Sequence, residues 1–278
     1  MLHYLTDPLQ FTFMQRALVA VVFTGLACGV LGSYVVLRGL AFIGDALTHA
    51  VFPGIVIAFA AGQSVLLGAL AVGLVTAAGI AVLSRGRRIS EDTAIGILFA
   101  AMFALGVVLV SSLAAYQKDV AELLFGNILG VSRTDLVLAG GATAVAVGAI
   151  VLFQKELSLV AFDREMAEAM RYPVFVLDLL LLGLITLAIV VSLRAIGNIL
   201  VLAMLVTPAA TARLLTDRLA TMQVAAAAIG AASGVVGLYI SFWWNVASGG
   251  AVVLTATAVF FAVFLGQAAV AGLRPAGG

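Results

Sequence analysis

Residues 40–54 read Leu40-Ala41-Phe42-Ile43-Gly44-Asp45-Ala46-Leu47-Thr48-His49-Ala50-Val51-Phe52-Pro53-Gly54. An aspartate and a histidine stand four positions apart in a run that is otherwise almost wholly apolar. A run of this kind is too apolar for a solvated helix, and it is flanked by others like it. A carboxylate at the centre of a lipid-embedded helix costs about 2.5–3.5 kcal/mol on insertion scales, so its presence points to a role. On a helix, positions i and i+4 share one face, with Cβ atoms about 5–6 Å apart. A carboxylate oxygen and an imidazole so placed can hold a transition metal between them.

Working outward from this stretch, the chain has 278 residues, of which 64% are hydrophobic and 10% charged. The mean hydropathy is +1.24. This is the composition of an all-α, polytopic membrane protein. The apolar segments are about 20 residues long, as a bilayer-spanning helix requires, and the alternating pattern of a membrane β-barrel is missing. A net charge of +1 gives no basic surface for nucleic acid, and the single cysteine, Cys28, excludes an internal disulfide. The N-terminus carries Asp7 and Pro8 without a cleavage pattern, so no signal peptide is expected.

Nine apolar segments are predicted, at 17–36, 41–62, 64–84, 93–113, 134–153, 174–193, 195–212, 219–241 and 250–271. Residues 1–278 are read as one membrane domain without an appended soluble module. Segment seven is short and contains Pro208. If it is broken or re-entrant, eight crossings remain. With nine crossings, one side collects Arg38, Arg85, Arg87, Arg88, Lys155, Arg164, Arg171, Arg213, Arg218 and Arg274. The other side holds Arg16, Lys118, Arg133 and Arg194. The excess predicts an N-terminus outside and a C-terminus in the cytoplasm. Two glycine pairs at four-residue spacing, Gly25/Gly29 and Gly230/Gly234, predict close helix–helix contact, within the bundle or between subunits.

If segment two starts on the cytoplasmic side, His49 lies roughly 13 Å along it, near the midplane. Pro53 has no N–H to return to the carbonyl of His49, which predicts a bend there. Interrupted helices of this kind build midplane sites in transporters. Asp45 and His49 are therefore the candidate metal ligands. The same pair could instead fix helix packing by a buried hydrogen bond, or relay protons. Two ligands fall short of the roughly four that a stable site takes. The rest must come from another helix, backbone, water or a second subunit.

Between segments five and six lies a charged stretch, 154–173. Phe162, Met166, Ala169 and Met170 recur at helical spacing, which predicts one short amphipathic helix. Lys155, Arg164 and Arg171 face Glu156, Asp163, Glu165 and Glu168. A helix lying on lipid headgroups favours a basic polar face, so the acidic balance favours a protein partner. Pro208 frees the carbonyl of Met204, and Thr207 can bond back to the preceding turn, a candidate hinge or a static kink. Asn198 fits an interhelical hydrogen bond. Ser241, Trp243, Trp244, Asn245 and Ser248 are expected in an outer loop, with the tryptophans as interfacial anchors. Residues 114–133, with Lys118, Asp119 and Glu122, form a second outer loop that could face a delivering protein. No phosphate-binding loop is present, so ATP cannot be hydrolysed by this chain, and no zinc-protease helix or serine nucleophile motif stands out.

Three stretches resemble the permease subunits of metal-type ABC importers, which take up zinc, manganese and sometimes iron. They are Leu37 to Ala50, Leu159 to Met170, and Ser192 to Arg213 with Gly197, Leu200, Thr207, Pro208, Ala209, Ala210, Thr211 and Ala212. The resemblance runs from about Arg16 to Gly266. Thr48 stands where the family more often has serine, and Arg171 where it usually has a helix-stopping glycine. The resemblance implies an ATP-driven importer of divalent metal in the bacterial cytoplasmic membrane. It implies no cofactor of the chain's own, with zinc the first expectation for the cargo and manganese next. It implies a cytoplasmic ATP-binding subunit, a second copy of the chain and an extracytoplasmic metal-binding protein as partners. It makes Asp45 and His49 the metal contact. Asp163, Arg164, Glu165, Met166 and Glu168 would be the ATPase-coupling residues, and Pro53, Thr207 and Pro208 hinge or pathway positions. A self-contained proton-coupled transporter and, further off, an intramembrane metalloenzyme are the alternatives. The first predicts internal inverted repeats, of which no convincing case is found. The second needs further ligands and a base to activate water.

Overall fold

A computed structural model describes residues 6–86, 88–112 and 130–272. The outer loop expected at 114–133 therefore lies mostly outside the described residues, as do Arg87 and Arg274. The described residues form helices and no strands. In chain order they are α1 (Thr12–Leu37), α2 (Ile43–Ala50), α3 (Phe52–Ala60), α4 (Val65–Ser84), α5 (Glu91–Ser111) and α6 (Arg133–Leu152). They continue as α7 (Gln154–Phe162), α8 (Arg164–Ala169), α9 (Val174–Ile196), α10 (Asn198–Leu215), α11 (Leu219–Trp244) and α12 (Ser248–Gly272). With α2 and α3 counted together, nine helical spans among the described residues are long and apolar enough to cross a membrane. Each coincides with one predicted segment, and the chain is a multi-pass helical membrane protein.

Local chemistry explains several boundaries. Ser90 caps α5 by accepting the Thr93 N–H at 3.1 Å, and Glu91 and Asp92 favour the positive end of that helix. Ser132 and Asp135 form a reciprocal capping box at the start of α6. At the end of α1, Gly39 takes φ +71°. There the Leu40 and Gly39 N–H groups return to the carbonyls of Val35 and Val36, closing the helix in a Schellman turn.

Segment seven follows the nine-span expectation rather than its eight-span alternative. α10 is one helix of 18 residues with Pro208 inside it. It is unbroken and about 27 Å long, within the length range of bilayer-spanning helices. The expected outer loop at 241–248 is shorter than predicted. α11 runs on through Trp244 and stops where Asn245 adopts φ +51°. Both tryptophans are exposed at that helix end.

The two glycine pairs meet each other inside the bundle. A Cβ on Gly25 would stand 2.7 Å from the Ala231 nitrogen, and one on Gly29 only 2.5 Å from that of Ala227. On the opposite side, a Cβ on Gly234 would lie 2.0 Å from a Val21 methyl. α1 and α11 thus touch backbone to backbone, the internal alternative of the glycine reading. α1 is the hub, with α6, α10 and α11 around it, and its Met14, Leu31 and Tyr34 are fully buried.

Candidate metal site and the charges behind it

α2 is short and nearly enclosed, packed among α4, α5, α9 and α10. Ile43, Gly44, Ala46, Leu47, Thr48 and Ala50 are all buried. Gly44 lets α10 approach: a Cβ there would meet Leu202 Cδ1 at 3.0 Å. The Thr48 hydroxyl donates to the Gly44 carbonyl at 2.8 Å, a bond that a serine hydroxyl would make equally well. Asp45 and His49 are left on the one open strip, with side chains 31% and 26% exposed.

The predicted pair is in contact, with His49 Nε2 3.5 Å from Asp45 Oδ1. Two donors about 2.1 Å from one ion, at a near-tetrahedral angle, stand about 3.4 Å apart. The pair therefore already has the spacing of two ligands sharing an ion. Phe99 and Phe103 of α5 hold the imidazole by its edges, with ring centroids 5.9 and 5.4 Å away and interplanar angles of 62° and 77°. Phe42 in turn stands edge-on to Phe99 at 5.7 Å. His49 Nδ1 is buried and has no hydrogen-bond partner among the described residues, leaving Nε2 as the nitrogen on the open side. Among the described residues no third His, Cys, Asp or Glu joins the two.

Pro53 acts differently from a simple bend. The helix is interrupted at Val51, and Pro53 sits in the first turn of α3, where its missing N–H is harmless and its φ is suited. Thr207 and Pro208 lie on α10, the helix that also presents Leu202 and Leu205 to Gly44. The Thr211 hydroxyl, not that of Thr207, makes the back-bond beside Pro208, donating to the Thr207 carbonyl at 2.8 Å. Asn198 Oδ1 is buried without a hydrogen-bond partner among the described residues, so the expected interhelical bond from that atom is not made.

The charged stretch 154–173 contains two helices rather than one. The corner falls at Asp163, with φ −145° and ψ 86°, where its carboxylate accepts the Met166 N–H at 2.8 Å and caps α8. Sequence periodicity could not reveal the corner, because a cap residue one position off a helix leaves the apolar spacing intact. Phe162, Met166 and Met170 form an exposed apolar edge, beside the exposed Glu165 and Glu168. α8 ends in a second Schellman turn, with the Tyr172 and Arg171 N–H groups returning to the carbonyls of Ala167 and Glu168. Arg171, where the resemblance leads one to expect glycine, takes the glycine conformation, φ +60°.

This chain matches the model of the ABC 3 transport family over residues 10–267. It belongs to that family. It is 44% identical to the manganese transport system membrane protein MntC of Halalkalibacterium halodurans, across 92% of this chain and 88% of the relative. It is 38% identical to a probable iron transport system membrane protein of Haemophilus influenzae, across 95% and 97%. The solved structure of PsaBC from Streptococcus pneumoniae in complex with Fab superposes with a TM-score of 0.82, at 39% identity and 95% coverage of both chains.

In this ABC 3 family member, one functional-looking cluster escaped the sequence reading. Arg38, Glu91, Arg164 and Asp178 converge at one end of the bundle. Arg38 reaches Asp178 at 2.9 Å and also hydrogen-bonds Glu91. Arg164 reaches Asp178 at 2.8 Å and Glu91 at 3.3 Å. Each cation touches both anions. Nearby, the Arg85 guanidinium lies 5.1 Å above the Phe175 ring. Arg38, Glu91 and Arg164 come from connections that the charge count assigns to one side, and Asp178 from the adjoining start of a span, so the alternation of crossings agrees with their meeting. A signal for Asp178 did exist: it is a lone carboxylate in the predicted span 174–193.

Proposed function

We propose that this chain is the membrane-spanning subunit of an ATP-driven manganese importer. The observation that carries the reading is the pair Asp45 Oδ1 and His49 Nε2. It is held at ion-sharing distance on the only open strip of an otherwise buried helix, against a wall of phenylalanines. Manganese is preferred over zinc because the relative named above carries manganese in its name and another carries iron. The zinc expectation has no such support. A carboxylate with an imidazole suits any of the three ions.

Two copies would face each other and complete the coordination that one chain leaves at two ligands. An extracytoplasmic binding protein would deliver the ion. A cytoplasmic ATPase would dock on α7–α8, where Phe162, Met166 and Met170 offer an apolar edge and Glu165 and Glu168 offer charge. The N-terminus would be outside and the C-terminus cytoplasmic, as the charge excess requires. Pro208, with Thr207 beside it, and the Val51–Pro53 break are the positions where α10 and the α2–α3 pair would flex. Membership of an ABC family leaves the proton-coupled alternative without an observation in its favour.

Uptake of ⁵⁴Mn by cells expressing the complex tests this reading. Asp45→Ala and His49→Ala should each lower uptake to background while the protein still reaches the membrane. Wild-type uptake in both variants would remove the site assignment.

A further inference from the structure

We propose that the Arg38–Glu91–Arg164–Asp178 ring transmits movement of the docking segment to the metal site. The inference rests on the function proposed above and adds three positioning residues, Arg38, Glu91 and Asp178, to it.

The ring joins the elements that such transmission requires. Arg164 is its one member on α8, in the segment where the ATPase would dock. Arg38 closes α1 and leads, through the Gly39 turn, into α2 with Asp45 and His49. Glu91 opens α5, the helix whose Phe99 and Phe103 grip the His49 ring. Asp178 lies near the start of α9, which packs against both α2 and α8. One cluster therefore connects the docking segment to both walls of the site.

The electrostatics make the link firm. Two guanidinium groups and two carboxylates balance, and the four cation–anion contacts close the ring. The Arg38 and Asp178 side chains are only 8% and 4% exposed, whereas Arg164 is 26% exposed. Withdrawing Arg164 alone would leave one buried cation facing two carboxylates. Removing one partner of a buried ionic set is far more costly than removing a balanced pair. A shift of α8 therefore draws Glu91 and Asp178 with it, and α5 and α9 follow. Arginine suits this role because its planar fork can hold two carboxylates at once, which a lysine ammonium does less well.

The test is manganese transported per ATP hydrolysed, in proteoliposomes holding the complete complex with its ATPase and binding protein. Arg164→Gln should lower that ratio at least tenfold, and Arg164→Lys should restore part of it. The charge-balanced double variant Arg164→Gln/Asp178→Asn separates transmission from mere stability. It should recover the thermal stability lost in Arg164→Gln while its transport ratio stays low. A wild-type ratio in Arg164→Gln, or recovery of the ratio in the double variant, would overturn the inference. Wild-type liposomes and an Asp45→Ala control distinguish the two layers. If wild type moves no manganese, or Asp45→Ala moves it normally, the proposed function fails and this inference falls with it. If both controls behave and the Arg164 variants match wild type, only the ring assignment fails.

Discussion

Two sets of charges lie in this bundle, and they are built on opposite plans. Asp45 and His49 belong to a single helical turn, touch at 3.5 Å, remain partly open, and have no third His, Cys, Asp or Glu beside them among the described residues. Arg38, Glu91, Arg164 and Asp178 come from four separate stretches and satisfy one another twice over, with Arg164 also 3.6 Å from Glu168 on its own helix. The contrast matches the two roles proposed for them. A group that takes up and releases an ion must stay incompletely satisfied, because a saturated site would not exchange. A group that carries mechanical load must be saturated, because an unpaired buried charge would itself drive rearrangement.

The same chemical change at one carboxylate from each set should therefore give opposite phenotypes. Asp45→Asn is expected to reduce manganese uptake by at least a hundredfold. It should leave stability within about 0.5 kcal/mol, as a change at a partly open site does. Asp178→Asn is expected to destabilise the protein by about 3 kcal/mol, since it leaves both guanidinium groups short of a buried partner. Thermal unfolding in detergent, run beside uptake, checks both. If Asp45→Asn unfolded the protein and Asp178→Asn did not, the two plans would be wrongly assigned.

Smaller effects sharpen the contrast. Phe103→Ala removes one of the two ring contacts on His49 while leaving both ligands in place, and edge contacts of this type are worth about 0.5–1.5 kcal/mol. The concentration of manganese giving half-maximal uptake should rise roughly two- to tenfold, by the free energy of those contacts. An unchanged value would mean that the phenylalanines do not set the imidazole. Arg171→Gly should stabilise α8 by about 1 kcal/mol, because a left-handed residue without a Cβ carries no strain. A fall in thermal stability would show that the arginine side chain contributes more there than the strain costs. Thr48→Ser should change both uptake and stability least of all, since the bond to the Gly44 carbonyl persists.

What could be read from the sequence followed the same division. Contacts local in the chain were legible. The spans came from length and hydropathy, the Asp45–His49 face from four-residue spacing, and the Gly25/Gly29 approach from small-residue spacing. Contacts between distant residues were not. Arg38 and Asp178 are 140 positions apart, and no periodicity links them. Asp178 could have been flagged as a carboxylate in an apolar run, but its partners could not have been named. Boundaries failed where one residue decides. Asp163 splits the 154–173 stretch by capping α8, and Val51 rather than Pro53 is the site of the break before α3. Arg171 shows a third kind of difference: the expected glycine is missing, yet the turn is kept by an arginine in the left-handed conformation.

The central claim, that His49 Nε2 contacts the transported ion, has a direct spectroscopic test. His3 and His49 are the chain's only histidines. Pulsed electron paramagnetic resonance of Mn(II) bound to the purified His3→Gln protein should show ¹⁴N coupling from one type of imidazole. That coupling should disappear in His3→Gln/His49→Gln. Persistence of the imidazole coupling in the double variant would contradict the account.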